Sequence, residues 1–210
     1  MVEVLTTPAD PKQARSKQTK EKIVQSAINL FQERGYEGTT SNEIAAAAGV
    51  SVGSFYVYFT DKRQLLLTIF DRLADEMFKS ILDVVKPEHL FGPELRPTIR
   101  QAVAKSIEDK QAFSGLHRVI SEMVLKDEEF AARRKAVLNR SILKIEELIS
   151  LANKAGLTWE IDVEAAAFLV YLVVFDLSQD YVTGNCDFNM DRAIDALSDM
   201  ILRYLFRPSG

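Results

Sequence analysis

The sequence predicts an all-α protein with a small N-terminal head and a larger C-terminal body. Apolar residues recur at three- and four-residue spacings along most of the 210 residues, and no segment shows the alternation typical of a β-strand. Short clusters of glycine and proline separate these periodic segments. A hydrophobic content of 47% and a charged content of 27% are ordinary for a folded globular chain. We expect a flexible basic arm over residues 1–15, the head over 16–62 and the body over 63–210.

The first helix of the head is predicted from one apolar face. Ile23, Ala27, Leu30 and Phe31 share that face, and Gly35 suits the helix end. Several cations precede or open this helix, and they are positioned to lie along DNA phosphates: Lys12, Arg15, Lys17, Lys20 and Lys22. The alternative is a solvated, partly disordered tail.

Two short helices around a glycine turn follow. Thr40 and Glu43 have the spacing of a capping box, and the apolar run Ile44 to Ala48 comes directly after them. Gly49 suits the left-handed residue that ends a helix, and Ser51 suits the cap of the next one. The result is a helix, a three-residue turn and a second helix, which is the arrangement of a DNA-binding helix-turn-helix.

Two features of this region reduce the stability of the helices in which they lie. Gly53 lies in the first turn of a short helix, where glycine costs about 1 kcal/mol relative to alanine. Lys62 and Arg63 open the following helix, where each cation opposes the helix dipole by about 0.3–1 kcal/mol. A DNA backbone close to both positions explains the two costs together, because the glycine permits close approach and the cations meet phosphates. The alternative is a surface helix with ordinary charges.

Residues 16–66, which include FQERGYEGTT and IAAAAGVSVGSFYVYFTDKRQLL, resemble the DNA-binding segment of the tetracycline-repressor (TetR) family of bacterial transcription regulators. The remaining two thirds resembles that family only in length and helical layout. The resemblance implies that Thr40 and Lys62 hold phosphates, that Tyr56 contacts the backbone, and that Phe55 and Phe59 pack inward. By the same resemblance, the residues that face the major groove are Ser51, Val52, Gly53, Ser54 and Tyr58.

This helix is expected to make few direct contacts with base edges. No Arg, Asn or Gln occupies residues 51–59 to make a bidentate base contact. Ser54 can bond base edges and Val52 can contact a thymine methyl, so DNA shape and phosphate positioning are expected to carry much of the selectivity. The alternative for Tyr56 and Tyr58 is simple packing with a solvated hydroxyl.

Charge is unevenly distributed along the chain. The net charge is −4, but residues 11–63 hold eight Lys or Arg against five Asp or Glu, and residues 64–210 hold 18 against 23. A basic head on an acidic body is consistent with DNA binding. A lone cysteine, Cys186, excludes an internal disulfide, and neither a signal peptide nor a membrane span is expected. These features predict a cytoplasmic, nucleoid-associated protein without membrane contact.

The body is predicted as a connecting helix and five further helices. The connecting helix, over about 62–85, carries an apolar stripe from Leu66 to Ile81. Pro87, Pro93 and Pro97 predict a loop over 86–97. The further helices are predicted over 98–112, 114–125, 127–155, 162–182 and 189–205.

The last two helices are the predicted dimer interface. The helix over 162–182 is apolar almost all round, and one neighbour cannot cover so many faces. The helix over 189–205 has an apolar stripe that includes Ile194 and Ile201. We expect both helices to meet their symmetry mates in a four-helix bundle, and such a dimer predicts a palindromic operator in double-stranded DNA. The alternative is that they close a monomeric core.

The resemblance also implies that a small molecule binds in the body and moves the connecting helix. The candidate lining is apolar and aromatic, which predicts a lipophilic or aromatic effector, although each residue can equally belong to the core. The candidates are Phe70, Met77, Phe113, His117, Met123, Tyr171 and Phe175. His117 is the strongest polar candidate for orienting an effector.

The sequence lacks the motifs of other function classes. His89, His117 and Cys186 show no metal-ligand spacing, and no cofactor motif, phosphate loop or serine elbow is present. We therefore interpret the chain as a ligand-responsive repressor that forms a homodimer. The alternatives are an effector-independent DNA-binding protein and an all-helical enzyme.

Overall fold

The computed structural model describes residues 11–90, 92–183 and 188–207, and these residues form an all-α fold, as predicted. Single-turn 3-10 helices occupy Pro87–Leu90 and Gly92–Glu94, and Thr158 and Phe206 form an isolated antiparallel bridge. The α-helices are α1 Pro11–Arg34, α2 Ser41–Ala47, α3 Val52–Tyr58, α4 Lys62–Val84, α5 Leu95–Gln111, α6 Ser114–Lys126, α7 Glu128–Lys154, α8 Val163–Thr183 and α9 Met190–Leu205. In these described ranges, no helix has both the length and the hydropathy of a membrane span.

The chain divides after Phe70 into two compact units, so the division falls inside α4. The first unit contains α1 to α3 and the start of α4, and the second contains the rest of α4 and α5 to α9. The predicted functional boundaries, 16–62 and 63–210, stay predictions. Residues 11–15 of the predicted arm belong to α1, which begins at Pro11, because proline is well suited to a first helical position. Residues 1–10 and Cys186 lie outside the described residues.

The core of the first unit is built from the faces that the sequence predicted. Ile23, Ala27 and Phe31 of α1 are fully buried, and Leu30 is nearly so. Phe55 is also fully buried, and Phe59 is almost so. The fully buried residues contributed by α2 and α4 are Ile44, Ala45, Leu65, Leu66 and Ile69. These side chains fix α3 by one face only, and the opposite face is left to solvent.

The core of the second unit joins α5, α7, α8 and α9. The predicted stripe of α9 is buried in it, while α8 contributes two alanines that permit close helix packing. Its buried members are Val103, Ile107, Ile149, Ala166, Ala167, Ile194, Leu197, Ile201 and Leu205. The α9 stripe, from which a dimer contact was expected, is therefore buried inside this chain, as in the alternative of a closed core, and a dimer contact of α9 needs its other residues.

The predicted loop over 86–97 is partly wrong. α5 begins at Leu95, three residues before the predicted start, and Pro97 lies in its first turn. The amide groups of the first turn have no partner inside the helix, so proline costs little there and does not interrupt the helix. The other predicted helix limits in the body agree with the structure to within about two residues, which is the usual scatter at helix ends.

Ion pairs connect the helices of the second unit. Arg100 Nε of α5 lies 2.6 Å from Asp195 Oδ1 of α9, and Arg140 Nη1 of α7 lies 2.7 Å from Asp75 Oδ1 of α4. Arg133 of α7 pairs with Asp71 of α4. These pairs are partly exposed, so each stabilises the fold only weakly, but two of them hold α4 against α7.

Candidate nucleic-acid interface and effector site

The start of α2 is fixed by the predicted capping box. Thr40 Oγ1 accepts a hydrogen bond from Glu43 N at 3.2 Å, and Thr40 N donates to Glu43 Oε2 at 2.8 Å. The hydrogen bonds that the Thr40 hydroxyl and the Thr40 amide donate to the Glu43 carboxylate lower the pKa of Glu43, with a smaller contribution from Arg34 at 3.3 Å. The Thr40 hydroxyl also donates to Glu43 Oε2, so Glu43 occupies both donors of the residue that is predicted to hold a phosphate.

The turn after α2 directs α3 away from it. Gly49 adopts φ +66°, a left-handed conformation in which a side chain is strained, and Val50 N donates to Ala45 O at 3.0 Å. Ser51 then caps α3, because its Oγ accepts a hydrogen bond from Ser54 N at 3.1 Å. The sequence predicted both devices, and together they set the direction in which α3 projects.

The exposed face of α3 lies opposite Phe55. Positions two residues away on a helix are rotated by about 200°, so Gly53 and Val57 form the centre of that face. Val57 is 78% exposed, and Tyr56 beside it is 53% exposed. Sequence reasoning missed Val57. Its position two residues after Phe55, which was predicted to pack inward, could have identified Val57 as an exposed residue.

Gly53 has no packing reason to be glycine. A Cβ at this position meets only Ser51 Oγ, at 3.9 Å, and the residue does not have a positive φ. Alanine therefore fits the free protein and is the better helix former by about 1 kcal/mol. The glycine keeps the outward face of α3 smooth at its first turn, where a partner can approach the backbone.

Lys62 contributes to the fold, contrary to the expectation that folding would not select it. Its Nζ donates to Tyr36 O at 2.9 Å and to Thr39 O at 3.1 Å, and lies 4.1 Å from the centre of the Tyr36 ring. The side chain thus ties the start of α4 to the connection between α1 and α2. Its predicted phosphate contact stays a prediction.

The start of α4 carries a cap that offsets its cations. Asp61 Oδ1 accepts from Gln64 N at 2.7 Å, and Gln64 Oε1 accepts from Thr60 N at 2.7 Å. An acidic cap interacts favourably with the helix dipole that Lys62 and Arg63 oppose. Sequence reasoning missed this cap, although the run TDKRQ contains it.

Tyr58 differs in environment from the other predicted groove residues. Its hydroxyl lies 3.2 Å from Ser16 Oγ of α1, and the side chain is only half-exposed. Thr40, Ser51, Val52 and Gly53 are exposed, whereas Ser54 is half-buried and lies 2.8 Å from Ser51 through its hydroxyl. The structure therefore divides the predicted groove residues into the exposed Ser51, Val52 and Gly53 and the half-buried Ser54 and Tyr58.

The second unit brings two predicted effector residues together with two cations. Tyr171 and Phe175 of α8 stack, with ring centres 5.7 Å apart. Lys110 Nζ of α5 lies 3.5 Å from the centre of the Phe175 ring, and Arg134 Cζ of α7 lies 4.2 Å from it. Arg134 also donates to the Tyr171 hydroxyl at 3.0 Å. We call Lys110, Arg134, Tyr171 and Phe175 the cationic cluster, together with His117, whose pKa the charge of Lys110 lowers.

Burial dominates the electrostatics of this cluster. It lowers the pKa of Lys110 to about 7; the charge of Arg134 lowers it as well, and Asp176 opposes the shift. Burial, with the charge of Lys110, lowers the pKa of His117 to about 4. Sequence reasoning missed Lys110, whose signal was its helical spacing from the buried Val103 and Ile107.

The other effector candidates have different surroundings. Phe70 is buried in the first unit, and Met77 is half-buried on α4. Phe113 precedes α6 and Met123 lies within it, both half-buried. A cleft of about 370 Å³ lies elsewhere in the second unit, and none of the predicted effector residues line it. Its walls come from the end of α4 and from α7: Leu82, Val85, Lys86, Lys144, Glu147, Leu148, Ser150, Leu151 and Lys154.

Comparisons with known proteins agree with this arrangement. A family model described as bacterial regulatory proteins, tetR family, matches residues 23–69. YvdT, an uncharacterized HTH-type transcriptional regulator of Bacillus subtilis, is 33% identical over 161 residues, which cover 65% of this chain and 82% of YvdT. YuxN, another such regulator of B. subtilis, is 37% identical over 68 residues, which cover 32% of this chain. That match spans only 23% of the length of YuxN.

Solved structures show the same fold over nearly the whole chain. A putative TetR-family regulator from Mesorhizobium loti superposes with a TM-score of 0.75 and 20% identity, covering 92% of this chain and 99% of that one. The complex of SmeT with triclosan superposes with a TM-score of 0.74 and 18% identity, covering 91% of this chain and 93% of that one. SmeT is described as the repressor of a multidrug efflux pump of Stenotrophomonas maltophilia.

Proposed function

Because this chain belongs to the TetR family of bacterial transcription regulators, we propose that it is a homodimeric repressor whose α3 helices enter the major groove of a palindromic operator. The family consists of regulators rather than enzymes. The observation that carries the proposal is the outward face of α3, where Gly53 lacks a packing role and the apolar Val57 is 78% exposed.

The predicted contacts form a consistent footprint around this face. Thr40 and Lys62, at the two ends of the unit, would hold phosphates, and Tyr56 would contact the backbone between them. Thr40 and Tyr56 are exposed and Lys62 is half-buried. Exposed cations of α1 on the same unit, namely Arg15, Lys17, Lys20 and Lys22, extend the proposed footprint. We propose accordingly that the protein acts on chromosomal DNA in the cytoplasm.

A footprinting experiment tests DNA binding by α3. The full chain is incubated with the DNA upstream of its own gene, and protection is compared for wild type, Val57→Asp and Leu125→Asp. Leu125 is 87% exposed on α6, so it is a matched apolar surface control in the other unit. We expect wild type and Leu125→Asp to protect one palindromic site, and Val57→Asp to protect none. Equal protection by all three proteins contradicts the proposal.

Dimerisation through α8 and α9 is the second part of the proposal. Apolar side chains of both helices remain exposed in the single chain, which supports a further helical partner there. They are Phe168, Leu169, Leu172, Val173, Met200 and Tyr204. We expect Leu172→Glu to sediment as a monomer, whereas Leu143→Glu on α7, where Leu143 is 64% exposed, stays dimeric. A wild-type monomer, or a dimeric Leu172→Glu variant, contradicts this interface.

Release from the operator by a small molecule is the third part. The stacked Tyr171 and Phe175 rings support an effector site in the second unit, as does the half-buried His117, whose Nε2 has no hydrogen-bond partner among the described residues. The structurally similar SmeT is known in complex with triclosan. Phe70, Met77, Phe113 and Met123 remain candidates for the rest of its lining. Loss of protection on adding extracted metabolites is the expected result. Protection that no extract relieves favours the effector-independent alternative.

A further inference from the structure

Lys110 is buried without a countercharge in contact. Only 5% of the residue is exposed, yet its Nζ donates to two neutral oxygens, Ser178 Oγ at 2.6 Å and Phe175 O at 3.2 Å. Across the described residues, no carboxylate forms an ion pair with it. Burying an ammonium group costs several kcal/mol unless a counterion accompanies it, so this site lacks the group that normally accompanies such a side chain.

Arg134 adds a second positive charge to the same place. Its guanidinium lies 4.2 Å from the Phe175 ring centre and donates to a neutral phenol, the Tyr171 hydroxyl. Like charges near each other destabilise a folded protein, and the charge of Arg134 lowers the pKa of Lys110. The acid that acts against this repulsion is Asp176, an exposed residue of α8. With both cations charged, these three residues have a net charge of about +1.

His117 supplies an independent sign of a missing ligand. Its Nε2 is buried and has no hydrogen-bond partner among the described residues. An unpaired buried polar atom costs about 1–3 kcal/mol, which an oxygen of a bound molecule would relieve. Burial and Lys110 lower the pKa of His117 to about 4, so its imidazole is neutral near pH 7 and can donate one hydrogen bond.

We infer that the effector of this protein is a carboxylic acid with an apolar body. Lys110 and Arg134 hold the carboxylate, and His117 donates to one of its oxygens. The stacked rings of Tyr171 and Phe175 lie against the apolar body. A single negative charge balances the net charge of the site, which is why a carboxylate fits better than a doubly charged phosphate. The inference rests on the proposed effector response, and it adds a charge requirement to the lipophilic or aromatic effector that the sequence predicted.

Carboxylate binding draws a proton into the site. The charged and titratable groups that interact with Lys110 are His117 on α6, Arg134 on α7 and Asp176 on α8. Tyr171 bonds Arg134, and the neighbouring Asp109 pairs with Lys105. With a pKa of about 7, Lys110 is largely neutral at pH 8, and a bound carboxylate raises that pKa again. The acid therefore binds more weakly as pH rises from 7 to 9, and its binding heat at pH 8 depends on the ionisation enthalpy of the buffer.

Calorimetry with matched acid and amide pairs tests the inference. The full-length wild-type protein is titrated, without DNA, with octanoate and octanamide, and with 2-naphthoate and 2-naphthamide. We expect at least one acid to bind roughly tenfold or more tightly than its amide, which differs only in lacking the charge. Equal binding of acid and amide, or no binding of either acid, overturns the inference.

Variants identify the residue that recognises the charge. Lys110→Met and, separately, Arg134→Gln are expected to reduce the acid preference at least fivefold, and Lys135→Met, an exposed lysine next to Arg134, is the control that keeps it. An unchanged preference in Lys110→Met and Arg134→Gln contradicts the assignment. Operator protection by the wild-type protein alone is measured in parallel. Absence of protection refutes the proposed function, whereas protection without acid preference refutes only this inference.

Discussion

The two units of this protein differ in where their polar groups find partners. In the first unit, the buried Thr39 donates to Gly35 O at 2.9 Å and Lys62 donates to two carbonyls. In the second, Lys110 is buried among neutral partners and His117 Nε2 has none. Within the described part of the chain, every buried side-chain nitrogen or oxygen without a hydrogen-bond partner lies in the second unit: Ser80, Asp109, His117, Arg133 and Thr158.

This difference indicates two kinds of partner. In the first unit, the buried polar side chains have hydrogen-bond partners, and α3 presents a smooth face to solvent. Such a unit is suited to a partner that binds on its surface. A unit with unsatisfied groups inside is suited to a small ligand that enters it. We therefore assign the completed surface to the proposed DNA contact and the incomplete interior to the proposed effector.

The largest expected effect is unfolding of the first unit by a substitution in its core. Phe55 is fully buried and its ring lies 5.9 Å from that of Phe59, so Phe55→Ala should destabilise this unit by about 3–5 kcal/mol and abolish operator protection. Hydrogen exchange followed residue by residue measures which unit opens. We expect the second unit to keep its protection. A uniform loss of protection across both units contradicts their separate stabilities.

Removing the buried charge of the second unit should stabilise it. Lys110→Met replaces a desolvated amine by an apolar chain of similar length, so we expect a gain on the order of 1–4 kcal/mol at pH 6. Because the folded-state pKa of about 7 lies below the unfolded value, wild-type stability rises with pH above 7, and the gain shrinks toward pH 10. Denaturant unfolding across this pH range measures it. A loss of stability at pH 6 would show that Lys110 is structurally required.

Replacing the half-buried lysine of the first unit by methionine should lower the stability of the protein, whereas Lys110→Met should raise it. Lys62→Met removes two charge-assisted hydrogen bonds to Tyr36 O and Thr39 O, which is expected to cost about 1.5–3 kcal/mol. Lys62→Arg is the matched variant that keeps the charge. Thermal unfolding of both variants gives the comparison. If Lys62→Met stabilised the protein, the inference that Lys62 stabilises the fold while Lys110 destabilises it would be wrong.

The smallest expected effect concerns the cap of α2. Thr40→Ala removes the capping box and is expected to cost about 1 kcal/mol. The pKa of Glu43 should rise toward its ordinary value, because the Thr40 side chain is the largest cause of its lowering. Carboxyl NMR titration measures this shift. Ser51→Ala, which removes the α3 cap only, should leave the pKa of Glu43 unchanged.

The sequence predicts contacts that are local in the chain. The capping box at Thr40 and the turn at Gly49 were predictable from the residues, because their partners lie within a few residues. The inward packing of Phe55 and Phe59 was implied by the family resemblance, and both side chains are buried. The position of Pro97 was missed because the same residue can interrupt a helix or open one.

Long-range contacts of charged side chains were not predictable. Lys62 bonds carbonyls 23 and 26 residues earlier in the chain, so its structural role has no local signal. Lys110 and Arg134 meet at Phe175 only because three helices pack together. Charged residues on helices are usually exposed to solvent. The helical spacing of Lys110 from Val103 was too weak a signal to predict a buried lysine against that general rule.

The proposal that α3 lies against DNA is tested most directly by Gly53→Ala. A Cβ at this position meets nothing closer than 3.9 Å in the free protein, so alanine should leave the fold intact and raise its stability by about 0.5–1 kcal/mol. Against a closely packed DNA backbone, the added methyl group should weaken operator affinity by roughly tenfold or more. Higher thermal stability with lower affinity is the predicted result. Unchanged affinity in a fully folded Gly53→Ala protein would contradict the account.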